Sequence, residues 1–136
     1  MSLTAALTSD RLWQVAAFRK AMQLIDDARD DAVQLGRARL YEPTARQLFR
    51  AVGSIAANMS EGYSRSTGLD RARFLEYSLG SVRESLVWYY TARVVVGDAV
   101  VDDRATRLVE LRRLLLTSIA NERQQRRVRK RIRVSP

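Results

Sequence analysis

Apolar side chains recur every three or four residues along most of this chain, the spacing of amphipathic helices rather than of strands. Four such stretches are separated by short polar or glycine-bearing breaks. The first nine residues carry no clear period and read as loose. Asp10 is placed to cap a helix running to about Leu35, with Leu12, Val15, Ala16, Met22, Ile25, Ala28 and Ala32 on its apolar side. Asp26, Asp27, Asp30 and Asp31 then form an acidic patch on the outer side, and Gly36 suits the position just past the helix end.

A second helix opens near Pro43 and Thr44, where the missing proline N–H costs nothing. Ala45, Leu48, Val52, Ile55, Ala56 and Met59 fall within roughly 100° of one another on it, and Gly62 ends it. Thr67 with Asp70 makes a short-armed capping box for a third helix reaching Gly97. Phe74, Leu75, Tyr77, Leu79, Val82, Leu86, Trp88 and Tyr89 spread apolar groups around much of its girth, a pattern that suits burial by another subunit. The break "GDAVVDD" leads to a fourth helix capped by Asp102 or Asp103. Leu108, Val109, Leu111, Leu115, Leu116 and Ile119 are expected inward, with Leu114 projecting on the other side. The fold expected is all-α: an up-and-down four-helix bundle forming one domain over residues 1–136, with a basic C-terminal arm from about residue 121.

Composition supports this reading and narrows the chemistry. The chain has 136 residues with 46% hydrophobic, enough for one core, and only two prolines to interrupt helices. It has neither Cys nor His. Thiol nucleophiles, imidazole bases and the usual zinc and haem ligand sets are therefore excluded. No cofactor and no metal are expected. The absence of Cys suits a cytoplasmic chain. The N-terminus lacks a signal-peptide pattern, and no apolar run approaches a membrane span.

Charge adds a candidate interface. The formal net charge is +9, and residues 123–136 contribute seven basic residues and no acidic one, so the rest nets only +2. The basic positions are Arg123, Arg126, Arg127, Arg129, Lys130, Arg131 and Arg133. Such an arm suits a polyanion, RNA or DNA, by contact with phosphate rather than by reading bases.

A polar stripe is the other feature. Gln47, Arg50, Ser54, Asn58 and Glu61 lie within roughly 80° of arc on the second helix. They sit beside its apolar face rather than opposite it. Arg73, Tyr77, Gly80, Ser81 and Glu84 occupy a similar sector of the third, where the small Gly80 and Ser81 leave room for close approach. The commonplace reading is a buried polar network, with Arg50 paired to Glu84 or Glu61 and Asn58 satisfying loop groups. Glu61 and Glu84 as an acid–base pair are disfavoured by the arginines around them, and a Glu61–Glu76–Glu84 metal site by the lack of His.

The segment "QLFRAVGSIAANMSEGYSR" resembles the signature of the 23S rRNA-intervening-sequence, or four helix bundle protein, family. The matching positions are Gln47, Arg50, Ala51, Ser54, Ile55, Asn58, Glu61, Gly62 and Arg65. "FLEYSLGSVRES" agrees at Phe74, Leu75, Gly80, Ser81 and Glu84, and "LWQVA" at the opening helix. The resemblance spans about residues 11–120. It implies a small bundle assembled as a ring-like pentamer, no enzyme activity, and a role in binding nucleic acid or a protein partner. It also implies kinship with the accessory protein of diversity-generating retroelements, whose protein partner is a reverse transcriptase.

Overall fold

The computed structural model describes residues 3–134, and for residues 3, 125–130, 132 and 134 the backbone alone. Five α-helices follow in order: α1 (Leu3–Thr8), α2 (Ala16–Gly36), α3 (Glu42–Tyr63), α4 (Gly68–Val96) and α5 (Asp98–Val134). Short 3-10 turns, Arg11–Gln14 and Arg39–Tyr41, precede α2 and α3. The four long helices run alternately up and down. Gly36 meets Ala45, Ser78 meets Ile55, and Asp31 and Asp27 meet Arg104 and Arg107, so consecutive helices are antiparallel and α5 closes against α2.

The apolar periods place the core as their spacing requires. Leu24, Leu35, Leu48, Val52, Ile55, Val82, Leu108, Leu111 and Leu115 are fully buried. Each such aliphatic side chain contributes roughly 1.5–3 kcal/mol by leaving water. Two close backbone approaches depend on glycine. At Gly62 a Cβ would lie 3.0 Å from the Phe74 Cβ and 3.3 Å from the Arg71 carbonyl, so α3 and α4 touch there. Gly97 takes φ 93° and ψ 154°, a region closed to other residues, and lets the chain reverse between α4 and α5 without a loop.

Several expectations need correction. The first residues are not loose throughout, since Leu3–Thr8 is helical. Asp10 does cap, accepting from the Leu12 N–H at 2.8 Å, but it caps a 3-10 turn. Val15 then turns extended, and α2 starts only at Ala16. Trp13 holds this kink in place, edge-on to Phe18 at 5.5 Å, while its carbonyl accepts from Arg19 Nη1. Likewise α5 begins at Asp98 rather than at Asp102 or Asp103, because Gly97 makes the whole turn alone. Asp103 instead serves Arg104 and Arg107. Val109 and Leu116, expected inward, are 41% and 46% exposed, and Leu114 packs against the core.

Candidate functional site

Three groups of polar residues stand out, and they lie at different places on the bundle. The first is the stripe along the α3–α4 seam. Arg50 donates to Glu84 Oε1 at 2.6 Å and, through Nε and Nη2, to Gln47 Oε1 at 3.1 and 3.0 Å. Trp88 Nε1 adds a bond to the same Glu84 oxygen at 3.2 Å. Further along, the Ser54 hydroxyl donates to the Arg50 carbonyl and Asn58 Nδ2 to the Ser54 carbonyl, each at helical spacing. Asn58 therefore serves its own helix rather than the loop. Glu61 accepts from Arg65 Nη2 at 2.5 Å.

This seam is not buried within the chain. Gln47, Arg50, Glu61 and Gly80 are exposed, Ser54, Asn58 and Glu84 are half-buried, and Ser81 is buried, its carbonyl accepting from Ser85. Gly80 creates no close approach, because among the described residues nothing lies within 4 Å of a Cβ placed there. Both carboxylates that an acid–base mechanism would need are already engaged by arginines. Ion pairs this exposed add little to stability, so the seam is a patterned surface rather than a stabilising core.

The second group was missed in the sequence. Asp31, read there as part of an outer acidic patch, is buried at 5% exposure. It accepts from the Tyr89 hydroxyl at 2.7 Å and from Arg104 Nε and Nη2 at 2.8 and 3.2 Å. Arg104 Nη1 also reaches Asp103, and Arg107 Nη1 bridges Asp27 and Asp103. Burial, then the bond to the Asp31 carboxylate, push the Tyr89 hydroxyl far above the ordinary tyrosine range. The bonds from Arg104 and Arg107 hold Asp103 below the usual carboxylate value. The signal was present: one face of α2 carries Asp27 and Asp31 a turn apart, and Arg104 and Arg107 share a face of α5. This set ties α2, α4 and α5 at one end of the bundle and leaves no free acid or base.

The third group is at the opposite end, where α5 leaves the bundle. Arg71 Nη2 lies 3.1 Å from Glu122 Oε2 in a half-buried ion pair. Arg123 pairs with Glu76. Tyr63 sits beside Ser118; burial raises its hydroxyl pKa, the Ser118 bond opposes that, and the nearby Glu122 charge adds to it. Arg65 and Arg73 stack over the Phe74 ring at 4.7 and 5.3 Å. Of the basic arm, Arg123, Arg131 and Arg133 are exposed. The side chains of Arg126, Arg127, Arg129 and Lys130 lie outside the described residues. A cleft of about 380 Å³ opens nearby between Asp10, Leu12, Val15, Ser60 and Tyr63. There the Asp10 carboxylate accepts from the Leu12 N–H and the Ser64 hydroxyl donates to the Ser60 carbonyl.

Among the described residues no group of three or more Asp or Glu could hold a metal, and no helix is long and apolar enough to cross a membrane. Residues 14–117 match the family model described as 23S rRNA-intervening sequence protein. The chain belongs to that family. This member is a small, all-helical protein. No curated protein matches the chain. A crystal structure from Bacteroides thetaiotaomicron, described as a protein with unknown function from the S23 ribosomal protein family, is similar with a TM-score of 0.72 at 17% identity. The match covers 76% of this chain and 98% of that one, and it is a likeness of fold.

Proposed function

We propose that this 23S rRNA-intervening sequence protein is a binding and scaffold protein that contacts nucleic-acid phosphates through its C-terminal basic helix. One observation carries the reading: α5 runs on as helix past the end of the bundle, and that extension is where the sequence concentrates its positive charge. Phosphate contact by Lys and Arg is sequence-independent and strongly salt-dependent. A titration of binding against salt, comparing the wild type with a full-length variant in which Arg126, Arg127, Arg129 and Lys130 are replaced by Gln, tests it. Equal affinity and equal salt dependence in the two proteins reject the reading.

A second reading rests on a separate observation. Tyr77, Val87, Tyr90 and Val94 are 51–71% exposed along the outer side of α4. Covering this surface by further copies in a ring, pentameric in the form that the family resemblance implies, would multiply the basic arm and give avidity. A protein partner such as a reverse transcriptase, without direct nucleic-acid contact, is the alternative occupant. Native mass spectrometry separates these, since a monomer at micromolar concentration removes the ring.

A further inference from the structure

A flexible basic tail and a basic helix carry the same charge but fit different partners. α5 is helical without interruption from Asp98 to Val134. Its exit from the bundle is held against α4. Glu122 is paired with Arg71 and Arg123 with Glu76, both partners coming from the first turns of α4. The Glu122 carbonyl also packs so closely on Gly68 that a Cβ there would lie 3.0 Å away. Residues 123–134 therefore continue the bundle as a rod roughly 18 Å long, at about 1.5 Å per residue.

We infer, resting on the phosphate-binding reading above, that this rod lies in the major groove of B-form DNA. At 100° per residue the six basic positions beyond Arg123, which is itself paired with Glu76, cover about 200° of the helix circumference. A flat polyanion meets only one side of such a helix, whereas a groove presents phosphates along both walls. An α-helix about 10–12 Å across fits the B-form major groove, about 12 Å wide. The A-form major groove of duplex RNA is deep and narrow. Single strands are held largely by aromatic stacking, and residues 123–136 contain no aromatic. Membrane surfaces require an apolar face, for which this segment offers chiefly Val128 and Ile132.

The test uses the full chain and three probes: a mixed-sequence DNA duplex two helical turns long, the RNA duplex of the same sequence, and one DNA strand alone. Val128→Pro breaks the rod without changing its charge, and Val128→Ala keeps the helix as a control. Thermal unfolding checks that the bundle is intact in each. The expected result is DNA duplex bound at least about tenfold tighter than either other probe. Val128→Pro should bring duplex affinity down to the single-strand level and leave single-strand affinity unchanged, with Val128→Ala behaving as wild type. Equal affinity for all three probes, unaffected by proline, overturns the groove inference while the phosphate reading stands. Tighter binding to the RNA duplex also overturns it. Binding to none of the three removes both.

Discussion

The Tyr89 hydroxyl donates to Asp31 Oδ2 at 2.7 Å, so a phenol on α4 and an arginine on α5, Arg104, together satisfy one buried carboxylate on α2. Removing either partner leaves that carboxylate under-satisfied, but by different amounts. Arg104→Ala strands a buried charge and should cost about 3 kcal/mol or more. Tyr89→Phe removes one neutral donor and should cost about 1–2 kcal/mol. Urea unfolding of both variants checks the order. Equal losses would show that Arg104 does not neutralise Asp31.

The same pair sets an alkaline limit. The folded Tyr89 pKa is raised above the ordinary tyrosine value, chiefly by burial and then by the Asp31 bond. The unfolded phenol therefore loses its proton first as pH climbs. The unfolded state then binds fewer protons, and stability falls as pH rises. The contribution is complete below about pH 10, the ordinary tyrosine range, and is lost progressively above it. Unfolding free energy measured from neutral pH upward should decline more steeply in the wild type than in Tyr89→Phe. Parallel slopes would contradict this.

These two residues also mark how far the sequence could be read. The four long helices and the cap at Thr67 were legible because each rests on local chemistry, an apolar period and a hydroxyl accepting the Asp70 N–H, whereas Gly62, read as ending the second helix, lies within α3 and serves its contact with α4. Asp31 was misread for a reason of the same kind. Four aspartates in six positions look like a solvated face, and only the approach of α4 and α5 turns one of them, Asp31, inward. The start of α5 was misplaced because Asp102 and Asp103 look like caps, whereas a single glycine at φ 93° completes the reversal earlier. At the polar stripe, spacing left Arg50 paired to Glu84 or Glu61, and the partner is Glu84. The exposure of the stripe was not legible, because arc position alone does not say whether a seam between two helices is covered.

Glycine contacts give a paired prediction. Gly62→Ala forces α3 and α4 apart and should cost about 1–3 kcal/mol despite alanine's better helix propensity. Gly80→Ala, facing open space in a helix, should gain up to about 1 kcal/mol. Melting temperatures moving in opposite directions check the pair. A gain at Gly62 would mean the two helices do not touch there.

Gly97 supplies another. Any side chain at φ 93° is strained, so Gly97→Ala should destabilise by about 1–3 kcal/mol although nothing lies within 4 Å of its Cβ position. Calorimetry decides it. An unaltered transition would mean the helical hairpin reverses by another backbone path.

The most direct measurement of the central claim is the salt slope of nucleic-acid binding by wild type and by the variant with Arg126, Arg127, Arg129 and Lys130 replaced by Gln. Each phosphate neutralised adds about 0.9 to the slope of log K against log salt on duplex DNA. Removing four cations should therefore flatten the slope by up to about 3–4 and weaken binding at every salt concentration. A variant whose slope and affinity match the wild type would show that the C-terminal helix is not where this protein meets its partner.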